Sequence, residues 1–238
     1  MIDFHSHILP EVDDGSDCVE TSLSMLRESR RQGVELIVAT PHFYADEDDP
    51  ESFLERRSEA FARLQDAMSS ERESFPKILL GAEILYFPGM SVADELYGLR
   101  MGGAPFLLVE PPMMPWSDSM LDEIVLTGTN LHCIPVIAHV DRFMRMLRDN
   151  SLIDRVAQRH MLVQVNASFF IYPDSRRFAL DLFRAGRIHF IGSDCHDMER
   201  RPPNMGYAAE IIEQNGAAAQ HEALDQRLTH FLKEVGSL

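Results

Sequence analysis

The chain has 238 residues, 45% of them hydrophobic, and a formal net charge of −16. That is ample material for one sizeable core, while the acidity argues against gripping long nucleic acid through a basic surface. No apolar run approaches the roughly 20 residues of a membrane span. No basic region followed by a long apolar stretch opens the chain, so neither membrane insertion nor a signal peptide is expected.

In chain order the pattern alternates between short apolar runs and amphipathic stretches. Ile2 to His5 reads as the first strand, followed by the acidic loop Glu11-Val-Asp-Asp-Gly-Ser-Asp17. A helix is expected from about Val19 to Gln32, with Gly33 as its cap. Glu35 to Thr40 is continuously apolar, as a strand buried on both faces would be, and it ends in Pro41-His42. A charged helix from Pro50 to Ser70 has Phe53, Leu54, Phe61, Leu64 and Met68 for its inner face. Lys77 to Glu83 is the third strand, and Val92 to Met101 reads as a short helix or an excursion. Strands follow at Phe106–Glu110, Ile134–His139, Met161–Asn166 and Ile188–Asp194. Helices are expected at 118–127, 150–160 and 174–185, and two more close the chain.

Seven strands alternating with helices predict an α/β protein with a parallel sheet. Nearly every strand ends in a polar residue: His5 and His7, His42, Glu83, Glu110, His139, Asn166, then Asp194 and His196. A doubly wound sheet gathers such groups at one switch point, whereas a barrel draws them from many strand ends toward its axis. The spread favours a barrel of seven strands, which a further strand near Tyr97 would raise to eight.

The chemistry of these residues points to metal. His5 and His7 are two apart on a strand, which places both imidazoles on one face. Glu83 and Glu110 end apolar strands, where an unpaired carboxylate is costly to bury. The only lysines, Lys77 and Lys233, are poorly placed to neutralise them. With Asp14, His42, His139, Asp194 and His196 they make a converging set of five histidines and four carboxylates. The mixed N/O donors suit Mn, Fe or Zn better than Mg. The cysteines, Cys18, Cys133 and Cys195, form no CxxC, so a reducing cytoplasm is expected rather than a disulfide framework.

His5-Ser-His7-Ile-Leu-Pro, Asp13-Asp14-Gly15, Thr40-Pro41-His42, Gly81-Ala82-Glu83, His139-Val-Asp-Arg142-Phe143, Gln164-Val-Asn166-Ala167 and Ser193-Asp194-Cys195-His196 together resemble the PHP superfamily. The nearest branch is the bacterial PHP-type protein-tyrosine phosphatases that accompany capsule and exopolysaccharide gene products, and the likeness runs to about Arg201. It implies a single domain over 1–238 with a distorted (β/α)7 TIM-like barrel and three divalent metal ions, Mn foremost, with Fe or Zn as alternatives. By motif, one ion would take His5, His7, Glu83 and Asp194. A second would take Glu83, Glu110 and His139, and a third Asp14, His42 and His196. Arg142 and Arg201 stand at the phosphate-binding positions, with Arg200 adjacent to the latter. Two departures, Cys195 between the last Asp and His and Val140-Asp141 after His139, remove no ligand. The implied activity is phosphomonoester hydrolysis by a metal-activated hydroxide. The implied partner is a phosphotyrosine protein, such as the tyrosine kinase of a polysaccharide-export system.

Rival readings are weaker. Cys195 to Arg201 spells C-x5-R, but that chemistry needs a loop that cradles phosphate and lowers the thiol pKa. This stretch has no glycine between those two residues and carries Asp197 and Glu199. An amidohydrolase would want a carboxylated lysine. Histidinol-phosphate phosphatase is the rival within the superfamily, the acidity disfavours a proofreading exonuclease, and a non-catalytic metal-binding regulator is the reading of another class.

Overall fold

The structure is a computed structural model describing residues 1–70, 74–234 and 236. Its elements are β1 (Ile2–Ser6), α1 (Val19–Arg31), β2 (Leu36–Ala39), β3 (His42–Phe43), α2 (Pro50–Ser69), β4 (Lys77–Leu80), β5 (Glu83–Leu85) and β6 (Phe106–Glu110). There follow α3 (Asp118–Asn130), β7 (Ile134–Ile137), α4 (Val140–Leu147), α5 (Leu152–Gln158), β8 (Leu162–Asn166), α6 (Ser168–Ile171), α7 (Pro173–Arg184), β9 (Phe190–Gly192), α8 (Met205–Gln214) and α9 (Ala218–Glu234). All strand pairings are parallel, in the orders β1-β2-β4 and β3-β5-β6-β7-β8-β9. The result is an α/β fold around a curled parallel sheet.

One expected strand is broken in two, and another is followed by a further short strand. Glu35–Thr40 continues past Pro41 as β3, and Lys77–Glu83 splits at Gly81-Ala82 into β4 and β5. Proline lacks an N–H to donate to a ladder, so a break at Pro41 is its natural consequence. The register survives it: Leu36 faces Lys77 and His42 faces Glu83 at the same offset. Residues 90–103 form short 3-10 turns at Met90–Val92, Asp94–Leu99 and Met101–Gly103, so no strand forms near Tyr97. Helix α4 is absent from the sequence-based expectations, because eight residues starting directly after a strand carry too little periodicity to separate from a loop.

The core has two layers, as alternation along each strand requires. Ile37, Leu107, Val109, Ile137, Val163 and Ile191 pack outward under the helices. Leu36, Val38, Phe106, Leu108, Val136 and Phe190 form an inner cluster with Phe4, and Leu232 of α9 belongs to it. Continuing the inward row by two residues at a time leads from Phe106 and Leu108 to Glu110, and from Leu162 to Gln164 and Asn166. The apolar plug thus gives way to polar groups at the strand C-termini.

Strand β1 departs from strict alternation. Its register against β2 slips by one residue between Asp3 and Ser6, a bulge that re-aims the side chains beyond it. Phe4 therefore joins the inner apolar cluster, yet His5 and His7 also reach the polar layer. At the other flank of β1, Asp194 N donates to His5 O at 2.8 Å and His7 N to Cys195 O at 2.9 Å.

Candidate metal centre

Two glycines allow backbone to close over the histidines. A Cβ on Gly192 would sit 2.4 Å from the Cβ of His5, and one on Gly15 would sit 2.4 Å from His7 O. With those approaches, every residue that the sequence singled out as a metal ligand reaches one region at the strand C-termini. His5, His7, His139 and Glu83 are fully buried, and Asp194 and His196 are nearly so. Glu110 is buried at the edge, His42 is half-buried and Asp14 is exposed.

Hydrogen bonds on the far side of three rings fix their tautomers. Gln164 Oε1 is an acceptor, since its Nε2 donates to Val165 O and Asn166 Oδ1. It receives His139 N at 2.5 Å and His5 Nδ1 at 3.2 Å. His7 Nδ1 donates to Asp13 Oδ2 at 2.6 Å, and His196 Nδ1 donates to Asp194 O at 3.1 Å. Each of these three rings carries its proton on Nδ1 and turns the Nε2 lone pair inward.

The Nε2 atoms of His5 and His7 then converge on Glu83, while His196 Nε2 accepts from Arg201 NH1 at 2.8 Å. His5 Nε2 lies 3.1 Å from His7 Nε2 and 3.0 Å from Glu83 Oε2, and His7 Nε2 is 3.3 Å from the same oxygen. Asp194 Oδ1 is 3.7 and 3.5 Å from the two rings. His139 Nε2 is 2.7 Å from Glu83 Oε1 and 3.4 Å from Glu110 Oε1. His42 Nδ1 is 3.2 Å from Glu83 Oε2, yet the geometry makes no hydrogen bond and this buried nitrogen is left without a partner. Asp14 Oδ1 lies 3.6 Å from His42 Nε2 and 3.4 Å from His196 Nε2.

Such an array fits a cation. Ligand atoms about 2.1 Å from one ion are roughly 3.0 to 3.4 Å apart, and the separations here, 2.7 to 3.7 Å, span that range. Among the described residues, three groupings have donor atoms all within 4.8 Å of one another: His7, Asp14, His42 and His196; His5, His7 and Glu83; His42, Glu83 and Glu110. These overlap the three sets implied by the motifs but divide them differently, with His7 and His42 each near two groupings.

The electrostatics agree. Burial opposes charge on His7, but Asp13, Asp194 and Glu83 more than offset it and hold its affinity for a proton well above the usual. Burial likewise opposes ionisation of Glu83 and Asp194, yet the surrounding histidines pull both well below the carboxylate range. Burial and the neighbouring Glu83 charge push Glu110 up. Burial takes His42 down to about 4 and lowers His196. The carboxylates that raise the proton affinity of His7 also favour a metal cation beside it.

The supporting residues are the ones that sequence reasoning misses. Asp13 enters it only as part of a motif; its carboxylate also accepts from His42 N at 2.8 Å and Gly15 N at 3.0 Å. Gln164 likewise enters it only as part of a motif, with no role assigned. The signal for both is their polarity within or beside buried strands. Backbone strain marks the same place: His139 at φ 28° and Asp194 at φ 54° occupy a region that side chains rarely adopt.

The arginines differ. Arg142, on α4, is half-exposed and only 3.9 Å from Glu110 Oε1. Arg201 is engaged: NH2 is 2.5 Å from Asp194 Oδ2 and NH1 is 2.8 Å from His196 Nε2. Cys195 is fully buried, and burial with the nearby Asp3 and Asp194 charges pushes its thiol up. That is the reverse of what a nucleophilic thiol needs.

Comparison with known proteins agrees with this chemistry. Tyrosine-protein phosphatase CpsB of Streptococcus agalactiae is 30% identical over 234 residues, covering 89% of each chain. Tyrosine-protein phosphatase YwqE of Bacillus subtilis is 28% identical, covering 90% of this chain and 84% of that one. In structure, the chain resembles one of the metal-dependent tyrosine phosphatases described jointly as YwqE from Bacillus subtilis and CpsB from Streptococcus pneumoniae. The TM-score is 0.82 at 25% identity, with 98% of this chain and 94% of that chain covered. The family described as "Capsular polysaccharide synthesis, CpsB/CapC" matches residues 1–227, and to that family the chain belongs.

Proposed function

We infer that this chain is a metal-dependent protein-tyrosine phosphatase. The observation that carries it is the convergence of buried His5 Nε2, His7 Nε2 and the Glu83 carboxylate, 3.0 to 3.3 Å apart, in a chain akin to metal-dependent tyrosine phosphatases.

The ligand sets are proposed as the motifs imply them: His5, His7, Glu83 and Asp194; Glu83, Glu110 and His139; Asp14, His42 and His196. Three divalent ions with Mn foremost is the matching proposal, supported by the mixed N/O donor set. Bound there, the ions lower the pKa of water and neutralise phosphoryl charge. The chain does the rest. Asp13 and Gln164 hold His7 and His5 in the tautomer that turns Nε2 inward. Arg142, with its guanidinium largely uncommitted, is proposed to grip the equatorial phosphate oxygens. Arg201 is proposed beside it, using donors not spent on Asp194 and His196. A phenolate leaves more easily than an alkoxide, since its pKa is about 10, and this favours aryl phosphates.

For the scaffold we take the strands as one ring, a distorted (β/α)7 barrel forming a single domain. The constant register across both strand breaks and the hydrogen bonds from Asp194 N and His7 N across β1 support it. The substrate is read as a phosphotyrosine protein of capsule or exopolysaccharide synthesis, foremost the tyrosine kinase of the export system; the family match supports the setting. A cytoplasmic site of action is supported by the three free cysteines. Among the described residues no helix is long and apolar enough to cross a membrane.

Turnover of para-nitrophenyl phosphate and a phosphotyrosine peptide, with and without Mn, tests the reading in wild type, His139→Ala and Cys195→Ser. Metal-dependent activity lost in the histidine variant and kept in the cysteine variant is expected. Activity that survives chelation and vanishes in Cys195→Ser would overturn it.

A further inference from the structure

Beside the metal cluster lies a cavity of about 520 Å³ whose lining includes Arg142, Arg145, Arg200 and Arg201. Among the described residues its only lining carboxylate is Asp194, already held by Arg201 and by Asn166 Nδ2 at 2.9 Å. A second cavity of about 660 Å³ shares Arg142, Arg145 and Tyr172 with the first and extends it away from the cluster, adding Asp141 and Asp174 to the lining. In a chain of net charge −16, four guanidinium groups against one carboxylate around the first cavity make a local field opposite to that of the whole molecule.

Two of the four, Arg145 and Arg200, have no task in the fold. Both are exposed, and among the described residues neither side chain makes an ion pair. Arg142 and Arg145 are three residues apart on α4, hence on one helix face and about 4.5 Å apart along the axis. Tyr172 and Tyr207, 53% and 51% exposed, also line the groove. They give an extended segment aromatic surface to lie against. A phosphate held at Arg142 thus leaves Arg145 and Arg200 within the same groove, with donors to spare.

We propose that this groove is a second subsite, in which Arg145 and Arg200 bind an anionic side chain flanking the phosphotyrosine of the substrate peptide. It rests on the phosphatase reading for the position of the scissile phosphate. The anion is a carboxylate or a second phosphate.

The test uses fluorescence anisotropy with peptides bearing a non-hydrolysable phosphonate analogue of phosphotyrosine. The flanking residues are Glu, isosteric Gln, or a second phosphotyrosine. Wild type should bind the Glu peptide up to about fivefold tighter than the Gln peptide at low salt, the upper scale of one exposed ion pair, and the gap should narrow as salt rises. In Arg145→Gln/Arg200→Gln the ratio should fall to within about twofold, a change that a merely structural role would not direct at charge. A gain confined to the second-phosphotyrosine peptide assigns the subsite to phosphate. Equal binding of all three peptides by wild type overturns the proposal. Turnover of para-nitrophenyl phosphate by the same preparations reports separately on the phosphatase reading. Its absence alongside intact charge-dependent binding refutes that reading and leaves the groove standing.

Discussion

Replacing Asp13 by Asn tests the tautomer argument directly. The Asp13 carboxylate accepts three hydrogen bonds, from His7 Nδ1, His42 N and Gly15 N. An amide of the same shape has one acceptor oxygen, so at least one donor must meet an NH2 group. The negative charge that makes His7 a better donor also disappears. Outer-sphere partners of metal-bound histidines are worth about 10- to 100-fold in metal affinity, or roughly 1.4 to 2.7 kcal/mol. Asp13→Asn should therefore weaken Mn binding by that factor in calorimetric titration of chelated protein, and excess Mn should restore part of the turnover number. The melting temperature in chelator should fall as well, since a donor left facing the amide costs about 1 to 3 kcal/mol, and the Mn titration is therefore run below that transition. Unaltered Mn affinity in a folded Asp13→Asn protein would refute the reasoning that Asp13 sets the His7 tautomer.

Three further outcomes rest on the same geometry. Gly192→Ala places a methyl against the Cβ of His5 at a distance no real contact shows. Overpacking of this kind costs about 1 to 3 kcal/mol, a drop of several degrees in thermal denaturation, with weaker Mn binding as His5 is displaced. Gln164→Leu leaves the buried His139 N and His5 Nδ1 without an acceptor, at about 1 to 3 kcal/mol. Chemical denaturation of the chelated protein isolates that loss from metal binding, and an unchanged midpoint would count against it. Chelation itself should lower the melting temperature of wild type. Metal at 100 times its dissociation constant stabilises by about 2.7 kcal/mol per site, and an identical melting curve with and without Mn would show that the cluster holds none.

The sequence by itself determined the alternation of strands and helices, because fully apolar runs of this length are stable only when covered on both faces. It also determined the chemical type of the site. Carboxylates and imidazoles at the ends of such runs need a common counter-charge, and this chain has almost no lysine to supply one. Tertiary structure alone decided how those groups meet. Strict alternation would have put Phe4 and His5 on opposite faces, and the slip in β1 puts both inward. No local pattern encodes that slip, since a register is set by the partner strand. The roles of Asp13 and Gln164 were equally out of reach: a buried polar side chain shows that a partner exists, and only the folded chain brings that partner within hydrogen-bond distance. Helix α4 is the last such case. Eight residues carry little helical stability of their own, and packing of Val140, Phe143 and Met144 into the core holds Arg142 and Arg145 beside the site.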